Sequence, residues 1–226
     1  MQENLDKGAY QQINRQRRDE MKILAINGSH RKGKNTAEML QTILDEAEAH
    51  GAETELVELM DYTIKECISC NKCLREAKCS ITDDDMGQLY DKLLAADGII
   101  LGSPVYFSNV TGRLKDFIDR SRPLHMVRNA LDGKIGGAVV HAGLRNGGQE
   151  RALTILHAFL TEHGMLIASD RGGDDNIIST GPMGTMFSSC ENGKMRYIKG
   201  VSQDEVALTS CQRLGRNTVN LIKKMS

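Results

Sequence analysis

Five short apolar runs, each followed by a stretch of helical periodicity, constrain this chain more than any other feature. The runs are KILAIN (22–27), TELVEL (54–59), GIILGS (98–103), IGGAVVHA (135–142) and MLIAS (165–169). Four are nearly continuous in apolar residues, as in strands covered on both faces; the second alternates and suits an edge. Between them lie helical patterns over 36–50, 83–97, 109–121 and 149–164, and a closing one over 204–224. In the first, Met39, Leu40, Ile43, Leu44 and Ala47 share one face, and Gly51 ends it. Strands alternating with helices imply a doubly wound parallel α/β sheet. With five strands the expected order is 2-1-3-4-5, which puts a ligand beyond the carboxyl ends of the strands, where the order reverses between strands 1 and 3. The loops after strands 1, 3 and 4 are therefore the place to look.

The chain has 226 residues, enough for one domain with a sizeable core. The reading is a polar extension over 1–20, then one domain over 21–226 with a cysteine-rich insertion at 66–80. A long glycine-containing stretch at 170–201 shows little periodicity. Formal net charge is −1, which offers no electrostatic footprint for nucleic acid or an anionic membrane. No apolar run is long enough to span a bilayer and the first residues lack a signal-peptide core, so a cytoplasmic protein is expected. The polar 1–20 arm and the 170–201 stretch have little to pack on within such a domain, and a homo-oligomer is expected.

NGSHRKGKNT (27–36) joins strand 1 to its helix. It combines glycines, Ser29, Asn35 and Thr36 as side-chain donors, basic His30, Arg31, Lys32 and Lys34, and the free N–H groups of a helix N-terminus. That is an anion site suited to phosphate. It nearly matches the triphosphate P-loop, but Asn35 stands where the magnesium-binding hydroxyl belongs. Asp170 after strand 5 is a weak stand-in for a second magnesium ligand. An unliganded polar turn is the bland alternative. After strand 3, Pro104-Val105-Tyr106-Phe107 presents two of the chain's few aromatics, which either face a flat ring or close the core. After strand 4, Gly143, Gly147 and Gly148 allow close backbone approach to a ligand. His141 there reads as a satisfied strand-end histidine. One phosphate site beside a flat-ring site, with no G-x-G-x-x-G, fits a mononucleotide cofactor.

Four of the six cysteines lie in ECISCNKCLREAKCS, spaced C-x2-C-x2-C-x5-C: Cys67, Cys70, Cys73 and Cys79. The overlapping C-x-x-C pairs match the tight run of ferredoxins that wraps a [4Fe–4S] cube better than the separated pairs of a zinc site. Thiols left empty or oxidised are the third reading. Ser80 stands where ferredoxins have proline. Cys190 and Cys211 lie outside the motif, and Cys211 reads as a small core residue on the last helix. The DDDM that follows reads as a helix N-terminus.

GSHRKGKNT, SPVYFSNVTGRLKDFIDR and GGQE resemble the NADPH-dependent FMN reductase group of flavodoxin-like proteins, from about Lys22 to Gln149. A compact cysteine motif between strand 2 and its helix is similar to the iron–sulfur flavoproteins. The resemblance implies a flavodoxin-like fold and bound FMN. Its phosphate would lie on Ser29, His30, Arg31, Asn35 and Thr36, with His30 the least secure contact. Pro104, Val105, Tyr106, Phe107 and Asn109 would line the flavin, and Gly143, Gly147, Gly148 and Gln149 would cover its other side. It also implies a homodimer or homotetramer, and electron transfer between a reduced carrier, ferredoxin-like or NAD(P)H, and an acceptor. A cluster-free NAD(P)H-dependent FMN or quinone reductase and a thiol-based redox sensor are the alternatives. The chemistry would belong to the cofactors, and no side chain stands out as a catalytic acid, base or nucleophile.

Overall fold

The computed structural model describes residues 21–173 and 175–226; the 1–20 extension lies outside them. Strands β1 (Lys22–Asn27), β2 (Glu53–Glu58), β3 (Gly98–Pro104), β4 (Ile135–Ala142) and β5 (Leu166–Ile167) form a sheet in the order β2-β1-β3-β4-β5, and every pairing is parallel. Helices α1 (Asn35–Ala49), α2 (Met86–Ala95), α3 (Gly112–Arg120), α4 (Gln149–Glu162) and α5 (Glu205–Met225) cover it. Fold class and strand order are those expected from the sequence, with β2 at the edge.

Period-two alternation sorts the strand side chains onto two faces. Leu24, Ile26, Ile99, Leu101 and Val140 pack with Met86 and Leu89 of α2, Leu114 and Phe117 of α3, and Leu153 and Leu156 of α4. Ile23, Ala25, Ile100 and Val139 pack with Leu40 and Ile43 of α1 and with Cys211 and Leu214 of α5. Cys211 is fully buried, as its reading as a small core residue requires, and burial pushes its thiol pKa up.

The fifth strand departs from the expectation. Only Leu166 and Ile167 pair, with Ile135 and Gly136 at the start of β4. The chain then leaves the sheet and returns as β6 (Met183–Thr185), which pairs in parallel with Val140, His141 and Ala142 at the end of β4. Since β3 occupies the other side of β4 from Ile135 to His141, β5 and β6 share one side, and the fifth position is filled by two separate pieces. The 170–201 stretch also carries an antiparallel hairpin, β7 (Phe187–Glu191) and β8 (Lys194–Tyr197). Asn192 and Gly193, at φ 50° and 75°, make its turn. That Asn-Gly between two short strand-like runs is a hairpin signal the sequence did carry.

Candidate functional site

The carboxyl ends of β1, β2, β3 and β4 bring the suspected loops to one rim. Glu58, the last residue of β2, joins two of them: its carboxylate accepts from Asn27 Nδ2 at 2.6 Å and from the Gly33 N–H at 3.0 Å. Within the 28–36 loop, Ser29 is buried; its N–H donates to Asn27 Oδ1 (2.9 Å), and its hydroxyl accepts from the Arg31 N–H (3.1 Å). Thr36 is buried in the first turn of α1, while His30 and Arg31 are exposed. No side chain caps α1, so its first N–H groups remain available at the loop. Lys32 is tied to Asp61. Asn35 turns its carboxamide inward: Nδ2 lies 3.2 Å from His141 Nε2, and Oδ1 accepts from the Val201 N–H at 3.3 Å. Any contact of Asn35 with an anion therefore falls to its backbone. His141 is the satisfied strand-end histidine expected; burial, aided by Arg31 and opposed by Asp204, lowers its pKa to about 4.

After β3, Val105 is anchored by its N–H to His141 O (2.8 Å). Tyr106 and Asn109 exchange backbone hydrogen bonds at 2.9 and 3.0 Å around a two-residue turn. Phe107 and Ser108 hold that turn at φ 52° and 58°, a left-handed conformation that L-residues adopt at a cost of about 1–2 kcal/mol each. Phe107 is fully exposed at its tip, and Tyr106 is half exposed, its ring stacked on His30 with centroids 6.1 Å apart and 12° between planes. The pair does not close the core, which removes the bland reading of these aromatics. Opposite, Gln149 is buried and braces its own loop. Its Oε1 accepts from the Gly147 N–H (2.7 Å), and its Nε2 donates to Leu144 O (2.8 Å). Gly148, at φ 92°, abuts Ser108 so closely that a Cβ would lie 2.7 Å from the Ser108 Cα, whereas Gly143 has nothing within 4 Å. The loops after β3 and β4 are thus locked to each other.

The cysteine segment leaves the same rim after β2. Cys67, Cys70, Cys73 and Cys79 all line one small cavity, walled by Ile81, Pro123, Arg120 and Arg122. Ser69 and Asn71, at φ 52° and 59°, bend the backbone between the thiols. Cys70 Sγ lies 2.9 Å from Ser80 Oγ, and this hydrogen bond, with the Lys72 N–H, lowers the Cys70 pKa. Ser80 thus gives Cys70 a hydrogen-bond partner that proline could not supply. Cys190 is exposed on β7 and does not line this cavity. Among the described residues no set of His, Cys, Asp or Glu is gathered closely enough to hold a single metal ion.

Three arginines that the sequence reading did not single out fix the segment. Arg113 grips Leu59 O (3.2 and 3.1 Å) and Tyr62 O. One heptad further along α3, Arg120 grips Lys65 O (2.7 Å) and Asp84. Arg122 donates to Asn71 Oδ1 at 3.3 Å. The acidic run serves this clamp more than the helix it precedes. Asp85, the N-cap of α2, makes no capping bond; its carboxylate accepts from the Thr63 N–H (2.7 Å), and Asp83 pairs with Lys65 at 2.5 Å. Burial pushes the Asp84 carboxyl up, but Arg120 and the Lys65 and Met86 N–H groups more than offset this and hold it below the usual range. At its other end α3 begins at Thr111, whose hydroxyl donates to Gly28 O (2.6 Å) and accepts from the Leu114 N–H (3.1 Å). One helix therefore joins the anion loop to the cysteine cavity across about 13 Å. A second cavity, of about 610 Å³ between the 168–175 segment and the last turns of α5, contains none of the suspected site residues.

The NADPH-dependent FMN reductase family model matches residues 21–172. An iron-sulfur flavoprotein of Methanocaldococcus jannaschii is 37% identical over 203 residues, covering 90% of this chain and 98% of the relative. An iron-sulfur flavoprotein of Archaeoglobus fulgidus is 39% identical over 203 residues, covering 89% and 95%. Among solved structures, a flavodoxin, WrbA-like protein from Agrobacterium tumefaciens superposes with a TM-score of 0.57 at 17% identity, covering 92% of this chain and 99% of that one; it supports the fold alone.

Proposed function

This chain belongs to the NADPH-dependent FMN reductase family, and from that premise we propose that it joins FMN to a [4Fe–4S] cluster and passes electrons between a reduced carrier and an acceptor. That it is a flavin-dependent oxidoreductase follows from the family. The two-cofactor reading goes further, and one observation carries it: four thiols with cluster spacing line one cavity whose wall is α3, the helix that also starts at the anion loop.

The residues present fit both groups. Ser29, Thr36, Arg31 and the first N–H groups of α1 offer a phosphate the partners it needs. Tyr106, Phe107, Pro104, Val105 and Asn109 lie on one loop and Gly143, Gly147 and Gly148 on another, and each loop is pinned by its own hydrogen bonds and by the Ser108–Gly148 contact. Gln149 contributes as the brace of its loop. Cys67, Cys70, Cys73 and Cys79 supply a full thiolate set, and the Arg120 and Arg122 guanidinium groups beside them complement its negative charge. When bound, a cube exchanges one electron at a time and FMN one or two, so the pair converts between one-electron and two-electron partners. The role of this chain is to hold both groups on one rim and to orient them. The electron donor is a ferredoxin-like carrier or NAD(P)H.

The test is cofactor analysis of protein purified without oxygen, for the parent and for Cys73→Ala. The parent should contain FMN with iron and sulfide in the proportion of one cube per flavin. The variant should keep its FMN, since no flavin loop is touched, and lose iron together with exchange to a one-electron protein carrier. FMN without iron in the anaerobic parent would leave a cluster-free NAD(P)H-dependent reductase.

A further inference from the structure

We infer that Arg120, seated on Asp84, is the positioning residue of the cysteine centre: its Nε–H donates to the sulfur set, and its fixed charge favours the reduced cluster. The inference rests on the cluster reading and assigns a role to a side chain outside the ligand set.

Arg120 is 1% exposed, the largest fully buried side chain among the described residues. Its five N–H donors can be accounted for one by one. Nη1 donates to Lys65 O (2.7 Å) and Asp84 Oδ2 (2.5 Å), and Nη2 to Asp84 Oδ1 (3.2 Å) and Ile81 O (3.4 Å). The fifth, on Nε, is buried and has no partner. Buried donors are almost always satisfied, and one left over calls for an explanation. Arg120 lines the cavity shared by Cys67, Cys70, Cys73 and Cys79, so a sulfur acceptor is the explanation at hand. Stability is a poor alternative, because a buried Arg–carboxylate pair is often no better than apolar side chains of the same volume. The surroundings also keep the residue fixed: Tyr90 donates to the Arg120 backbone carbonyl at 2.5 Å, and Asp84, which grips the guanidinium, is as buried as its partner.

The direction of the effect follows from charge. Reduction of the cluster adds one electron, supplied in the test by dithionite, and no proton. A nearby fixed positive charge and a donated N–H both stabilise the more negative state, and hydrogen bonds to sulfur raise cluster potentials. Asp84 opposes this. Removing Asp84's charge and removing Arg120 should therefore move the potential in opposite directions, which a purely structural clamp would not do.

The experiment is a redox titration of the FMN- and cluster-loaded protein, followed by the spin signal of the reduced cluster. In D84N the reduction equilibrium should shift toward the reduced form relative to the parent. Relative to D84N, R120M/D84N should shift it at least tenfold toward the oxidised form, a potential lower by 59 mV or more. A potential that R120M/D84N shares with D84N, or that moves in the same direction at both steps, overturns the role of Arg120 while leaving the cluster reading intact. A parent without iron overturns both. Should either variant fail to bind FMN, R120K decides. It keeps the charge but loses the Nε–H, and a lowered potential supports the donated bond, whereas the parent's potential overturns it.

Discussion

Two glycines of one loop should respond to alanine in opposite ways. At Gly148 the backbone sits at φ 92°, which costs an L-residue about 1–2 kcal/mol. An added Cβ would also lie 2.6 Å from Ser108 Cβ and 2.7 Å from its Cα, well inside the 3.5–4.0 Å at which carbon atoms rest. Overpacking of this kind costs about 1–3 kcal/mol. Against these stands about 0.4–1 kcal/mol gained by restricting the unfolded chain. The balance is a destabilisation of about 3 kcal/mol, with the Phe107–Ser108 turn pushed out of place. Gly143 has no positive φ and nothing within 4 Å, so Gly143→Ala should leave stability within about 0.5 kcal/mol of the parent. If the flavin lies against this loop, the new methyl meets the ligand, and FMN affinity should fall at least tenfold, about 1.4 kcal/mol. Urea unfolding of the apo-proteins and FMN titration by flavin fluorescence measure the two quantities separately. Gly148→Ala as stable as the parent would refute the strain argument. Gly143→Ala with unchanged FMN affinity would remove the 143–149 loop from the flavin site.

Replacing Arg31 and Thr36 together with alanine should weaken FMN by more than tenfold, because charge-assisted donors to phosphate are lost; equal affinity in a fluorescence titration would move the phosphate elsewhere. The pH profile of stability tests two buried histidines. His141 and His163 are both lowered to about 4 by burial, His163 also by His125 beside it, against an ordinary value near 6.5. Between these values the unfolded chain binds the extra protons, so stability is complete above pH 6.5 and declines as pH falls toward 4. The slope should approach about 1.4 kcal/mol per pH unit for each histidine, and His163→Gln, followed by urea midpoints, should remove about half of it.

The sheet order was legible because its strands are short apolar runs, all but the second nearly continuous, and its helices carry clean stripes, and these signals are local. The anion loop and the cysteine set were legible for the same reason: their residues sit close together in sequence. The second half of the fifth strand was not. Met183-Gly184-Thr185 has no pattern of its own, and only the open side of β4 makes it a strand. Nor were the arginines, since Arg120 meets Asp84 across 36 positions of chain. The acidic triplet was read by its proximity to α2, whereas all three of its carboxylates reach back to 63–65 and Asp84 also reaches α3. Asn35 shows the same limit: its position in the loop suggested a ligand contact, but the side chain turns toward His141, a partner the sequence does not reveal.

The divided fifth strand has a consequence for how such a protein can change over generations. The lower piece, β5, is held by Ile135 and Gly136, and the upper piece, β6, by Val140, His141 and Ala142. Both registers are set at the ends of the excursion, where the Ala168 N–H bonds Gly136 O and the Val140 N–H bonds Pro182 O, and not by its middle. Doubling the length of that excursion would cost only about 0.6 kcal/mol in closure entropy, and neither register would have to slip. A one-residue insertion inside a continuous strand would turn every following side chain to the wrong face. Here new sequence can be tried at the border of the sheet while the apolar interior and the loops on the rim stay as they are. Descendants of this chain have a permissive point at which to acquire surface without refolding around it.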